Sequence, residues 1–149
     1  YMGIPVAADE SVRKASDPLA VARAGAADLL VIKAQPLGGV HAALRIVAEA
    51  GLPVVVSSAL DTSIGIAMGA RLAAAIPALD FDCGLGTVAM FEEDVAVELL
   101  VPVDGAIRVE RPEVSATQLD RLSAPADRRD WWLDRVRRCY RLVERATAL

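Results

Sequence analysis

The chain has 149 residues, enough for one domain with a real core and too few for a complete (β/α)8 barrel, which takes about 250. Apolar residues make up 54% and charged residues 24%, a composition that excludes a disordered segment. The net charge of −4 argues against nucleic acid as a partner, because phosphate binding rests on a basic surface.

Tyr1-Met2-Gly3-Ile4-Pro5 has neither the basic start nor the long apolar core of a secretory leader, and strand-like sequence follows at once, as expected of a piece of a longer protein. The first predicted strand is Ile4–Ala8, closed by Asp9-Glu10-Ser11. A helix then opens at Asp17-Pro18, with Asp17 as N-cap and Pro18 in the first turn, and stops at Gly25. Leu29–Ile32 is a second strand, without polar alternation and rich in β-branched residues, the pattern of a buried parallel strand. After Gly38-Gly39, the apolar positions Val40, Ala43, Leu44 and Val47 fall at i, i+3, i+4 and i+7, predicting a helix from Val40 to Ala50 ended by Gly51.

Pro53–Val56 is the third strand, and a third helix capped by Thr62 or Ser63 runs to Ile76 before Pro77. The most apolar stretch, Ile64–Leu79, is interrupted by Arg71 and Pro77 and falls short of the roughly 18 residues of a membrane span, so no membrane partner is expected. A weaker fourth strand is Leu79–Cys83. From Val95 the pattern changes to a hairpin about Asp104-Gly105, a polar and irregular stretch from Pro112 to Arg129, and a C-terminal helix with Trp132, Val136, Tyr140 and Val143 on one face. The expected division is therefore 1–94 and 95–149. Cys83 and Cys139 lack metal-ligand spacing, and two lone thiols fit a reducing, cytoplasmic setting.

The strand ends Asp9, Lys33, Ser57 and Gly84 are spaced by 24, 24 and 27 residues, the length of one βα unit. Both barrels and open parallel sheets carry their chemistry at this end of the strands. A desolvated Lys33 can act as proton donor or acceptor there, although a rim lysine reaching solvent fits the position equally. Asp9 suits a hard cation such as Mg²⁺, or simply a cap. Its neighbour Glu10 would lie on the opposite strand face, so at most one of the two reaches a given ligand.

Three segments, Ala7-Ala8-Asp9-Glu10-Ser11, Asp28 to Gly39 and Val54 to Gly65, resemble in order and spacing the o-succinylbenzoate synthases of the enolase superfamily. The resemblance implies strands five to eight of a (β/α)7β barrel, with Asp9 as the third metal ligand, Lys33 facing the substrate, and Ser57, Ser58, Gly84 and Gly86 near the substrate carboxylates. It implies Mg²⁺ as cofactor and dehydration of a cyclohexadiene carboxylate to o-succinylbenzoate in menaquinone synthesis. The resemblance further implies the superfamily's arrangement of a lysine or histidine base working with one or two Mg²⁺ ions. The family's first two metal carboxylates and its Lys-x-Lys strand have no counterpart here. A partner is therefore expected: the N-terminal half or a second copy. N-acylamino-acid racemisation begins with the same proton abstraction and is the nearest alternative, and a non-catalytic half barrel that self-associates is another.

Three further signals carry less. Gly84-Leu85-Gly86-Thr87-Val88-Ala89 fits a dinucleotide pattern, but the acidic Glu92-Glu93-Asp94 follows it. His41 has no ligand partner nearby in sequence, and the arginines 135, 137, 138, 141 and 145 suit a solvated helix face.

Overall fold

The computed structural model describes residues 3–147, with side chains through 144. Two compact units are present, Tyr1–Ser115 and Ala116–Leu149. The first contains a parallel sheet of β1 (Ala7–Ala8), β2 (Leu29–Ile32) and β3 (Val54–Val56), in that order. The helices α1 (Asp17–Ala24) and α2 (Val40–Ala50) make the crossovers, and α3 (Ser63–Ala75) follows β3. Parallel pairing requires such crossovers, and the 24-residue repeat supplies them.

Local chemistry sets the helix limits. Ser16 rather than Asp17 holds the N-cap position of α1, and the Asp17 carboxylate instead accepts from the Lys14 amide at 2.7 Å. Gly25, at φ 57°, adopts the left-handed conformation that closes α1, and Gly51, at φ 64°, does the same for α2. α3 stops ahead of Pro77, which cannot continue an α-helix. The first strand is shorter than predicted, because Ile4 and Val6 remain exposed and only Ala7 and Ala8 join the ladder. Its entry is fixed by Asp28, whose carboxylate accepts from the Val6 amide at 2.7 Å.

The predicted fourth strand over Leu79–Cys83 does not form. Asp80 and Asp82 keep this segment in water, and only Gly84 meets β3, in a single parallel bridge to Ser57. The Gly84 amide donates to Val56 O and its carbonyl accepts from the Ser58 amide, both at 2.9 Å. A 3-10 helix, Thr87–Met90, follows in place of the α-helix that a dinucleotide-binding loop requires.

Leu30, Ile32, Val56, Ile66, Leu72, Val88 and Leu100 are almost wholly buried and form the core of this unit. Residues 95–115 pack within the same unit. Asp104 (φ 50°) and Gly105 (φ 76°) make the predicted tight turn, closed by Val103 and Ala106. The flanking segments do not continue as a ladder, since Pro102 has no amide proton and the Leu100 amide donates to Ser63 Oγ at 3.0 Å.

The second unit holds α4 (Ala116–Arg121), in the stretch predicted to be irregular, and α5 (Ala126–Thr147), the predicted C-terminal helix. Trp132, Val136, Tyr140 and Val143 are all exposed on α5. Trp131 and Trp132 meet edge to face at 4.8 Å, with the Arg135 guanidinium 5.8 and 5.9 Å from the two rings.

One polar cluster ties 95–115 to the helix layer. Asp94, 4% exposed, accepts from the Ser63 amide at 2.7 Å and Ser63 Oγ at 2.6 Å, and from the Ala96 amide at 3.2 Å. Thr62, in the N-cap position of α3, makes no side-chain cap, so a carboxylate 31 residues away serves instead, where the helix dipole favours negative charge. Asp94→Ala would strand three buried donors, and we expect a loss of about 3 kcal/mol in urea unfolding. A loss below about 1 kcal/mol would show that the cluster rearranges without penalty.

Candidate active site

The strands present alternate residues to opposite faces. Ala8, Leu30, Ile32, Val54 and Val56 are buried, while the intervening Val31 and Val55 are only partly covered. The register pairs Ala8 with Leu30, and Ile32 with Val56. Carried one residue further, it sets Lys33 beside Ser57. Asp9, Lys33 and Ser57 therefore share the open face at the carboxyl ends of three adjacent strands.

A cleft of about 500 Å³ lies at this end, lined by Asp9, Lys33, Ser57 and Ser58 together with Arg13 and Leu60. Lys33 and Asp9 form an ion pair across it, with side chains 18% and 39% exposed. The structure thus brings together two residues that the sequence places 24 positions apart, at the ends of successive strands. The lysine is mostly withdrawn from water, and the carboxylate opens to the cleft. Glu10 also borders the cleft, but pairs with Arg13 at 3.6 Å, and both of these side chains are solvated.

The two serines differ. Ser57 Oγ has only long contacts, 3.3 Å to Gly84 O and 3.4 Å to Ser58 O. Ser58 is 8% exposed and its hydroxyl makes 2.9 Å contacts to Gly84 O and Thr87 Oγ1. Neither glycine singled out from the sequence lines the cleft. Gly84 lies behind Ser57, where an added Cβ would meet Ser57 Oγ at 2.7 Å, and Gly86 leads into the 3-10 helix. Gln35, at the end of the β2 loop, donates to Gly65 O of α3 at 3.3 Å and holds the rim together.

Sequence reasoning missed Thr87, Asp94 and Arg13. Thr87 and Asp94 act on partners about 30 residues away, so no local spacing marks them. Arg13 belongs to the turn after β1, and a solitary exposed arginine carries no signal of its own. Among the described residues, no three His, Cys, Asp or Glu side chains gather as a metal-binding group. Asp9 can supply one cation ligand to the cleft, fewer than a hard cation takes from protein and substrate together. His41 is exposed on α2. The Cys83 thiol is raised above its ordinary range by desolvation, with Asp82 adding to the effect, so it is a weak nucleophile. No described helix is long and apolar enough to cross a membrane.

The chain is similar over nearly its whole length to curated o-succinylbenzoate synthases. It is 57% identical over 140 residues to that of Mycobacterium tuberculosis and 55% identical over 142 residues to that of Mycobacterium ulcerans. These alignments cover 94% and 95% of the chain but 43% of each relative, so the chain spans less than half the length of the enzymes it matches. Among solved structures, a probable mandelate racemase from Alicyclobacillus acidocaldarius superposes with a TM-score of 0.70 at 32% identity, over 83% of this chain and 34% of that one. A muconate lactonizing enzyme from Pseudomonas fluorescens gives a TM-score of 0.72 at 27% identity, over 78% and 33% respectively. The family described as enolase C-terminal domain-like matches residues 1–113, the span that contains β1, β2 and β3 and the residues lining the cleft. A parallel βα array with its ionic groups at the carboxyl ends of the strands, aligned over that span, makes this chain a member of the enolase superfamily.

Proposed function

We propose that this chain forms the substrate-facing C-terminal part of an o-succinylbenzoate synthase, a lyase that dehydrates a cyclohexadiene carboxylate. The observation that carries this reading is the Lys33–Asp9 pair in the cleft, in a chain 57% identical to curated synthases over 94% of its length.

The chemistry begins with loss of the proton on the carbon next to a carboxylate, which builds a second negative charge on that group. The C–H electron pair moves toward the carboxylate, then forms the ring double bond as the hydroxyl departs and takes up the abstracted proton as water. Lys33, a largely desolvated ammonium, offsets the charge as it develops, and its interaction strengthens in a water-poor site. Asp9 holds the lysine in place and would offer one carboxylate oxygen to Mg²⁺. When bound, Mg²⁺ supplies Lewis-acid stabilisation of the substrate carboxylate. The Ser57-Ser58 corner, with Gly84 and Gly86 shaping the turn behind it, receives a carboxylate of the substrate. The abstracting base and the remaining metal ligands come from residues outside this chain.

Racemisation of N-acylamino acids starts with the same proton loss. The deciding experiment is therefore an assay of the enzyme that carries this chain, with Mg²⁺, on both substrate classes. We expect dehydration to dominate, and racemisation alone would overturn the synthase reading. The 149-residue chain by itself should show no turnover, because no base is assigned within it.

Lys33→Ala should lower kcat by about 100- to 1000-fold, the usual effect of removing one partner of a developing oxyanion. Near-normal turnover in that variant would remove Lys33 from the chemistry. Asp9→Asn should raise the Mg²⁺ concentration needed for activity by at least about tenfold, since even outer changes at metal sites have effects of that order. Unchanged Mg²⁺ dependence would make Asp9 a structural partner of Lys33 only.

A further inference from the structure

Thr87 belongs to none of the groups just assigned, yet it holds the loop on which the substrate-binding corner depends. Its hydroxyl lies 2.7 Å from Ala59 O and 2.9 Å from Ser58 Oγ, with the Asp61 amide at 3.5 Å. A carbonyl only accepts, so the short contact to Ala59 takes the Thr87 proton. Ser58 is then the donor in the contact between the two hydroxyls. Its single proton is shared between Thr87 Oγ1 and Gly84 O, each at 2.9 Å, and none remains for a ligand.

Ser57 is in the opposite state. Its two carbonyl contacts, at 3.3 and 3.4 Å, lie at the long limit of hydrogen bonding. A carboxylate oxygen in the cleft would be a stronger acceptor than either. Strand parity agrees, since Ser57 follows Val55 on the open face, whereas Ser58 follows the buried Val56 and is itself 8% exposed. The loop is pinned from its other side as well, where the Asp61 carboxylate accepts from the Ala59 amide at 3.1 Å and packs on Gly65.

We propose that Thr87 is a positioning residue of this site: through the Ala59 carbonyl and the Ser58 hydroxyl it fixes the 57–61 loop so that Ser57, and not Ser58, donates to a substrate carboxylate. The inference rests on the synthase reading for the identity of the substrate. The loop geometry itself does not depend on that reading.

The test compares Thr87→Val, which keeps the shape and removes the hydroxyl, with Thr87→Ser, which keeps the hydroxyl, in the enzyme that carries this chain. Removing the hydroxyl that joins Ala59 O to the Ser58 hydroxyl should raise KM about tenfold, with kcat changed much less, and Thr87→Ser should restore KM. Ser57→Ala should raise KM similarly, and the double variant with Thr87→Val should add little to either. Hydrogen exchange in the peptide spanning residues 56–62 should quicken in Thr87→Val and return to normal in Thr87→Ser. Unchanged KM and exchange in Thr87→Val would overturn the proposal, as would a fall in thermal stability with kcat and KM failing together and no rescue by serine. If the wild-type enzyme dehydrates no cyclohexadiene carboxylate, the synthase reading fails by itself, and the exchange comparison alone decides the role of Thr87.

Discussion

The site depends on the two-residue alternation of parallel strands held in register. β1, β2 and β3 pair so that Ala8, Leu30, Ile32, Val54 and Val56 all enter one apolar layer. The residues one step beyond Ala8, Ile32 and Val56 then emerge together on the other face as Asp9, Lys33 and Ser57. A slip of one residue in β2 would push the Lys33 ammonium into a layer where Ile32 and Val56 have no exposure. Apolar burial on one side of the sheet thus fixes the position of the charged pair on the other.

Register alone does not hold the rim, because the loops after the strands are where such sites are built and where chains are most mobile. Here they are tied by polar contacts of long sequence separation. Gln35 reaches Gly65, Thr87 reaches Ala59, and Asp94 caps the start of α3 through Ser63. The Asp94 contact satisfies a buried amide that the core cannot leave unpaired, and the other two tie partly exposed loops across the rim. Among the described residues no buried side-chain nitrogen or oxygen lacks a partner.

The cleft pairs its charges before any ligand enters, Lys33 with Asp9 and Arg13 with Glu10. The second pair is exposed, and such pairs are worth about 0–1 kcal/mol, so its partners exchange easily. The first is partly desolvated and holds the ammonium at the wall of the cleft. Charge compensation explains how a lysine is held at the end of an apolar strand in a protein of net negative charge.

The sequence by itself determined the βα repeat, the helix limits at Gly25, Gly51 and Pro77, and the placement of Asp9, Lys33 and Ser57 at the ends of strands. These follow from short-range rules: unbroken apolar runs, glycine in left-handed caps, proline as a helix stop, and the position of a residue relative to a strand end. Alternation along β3 also contained the difference between Ser57 and Ser58, once Val56 was recognised as a core residue. Only the tertiary structure decided that Leu79–Cys83 contributes one bridge instead of a strand, that α4 forms, and that Thr87 and Asp94 matter. The reason is physical. A hydrogen bond between residues about 30 apart leaves no periodicity in the chain, and the acids flanking Phe81 withdraw a segment from the sheet only because water is available at that edge.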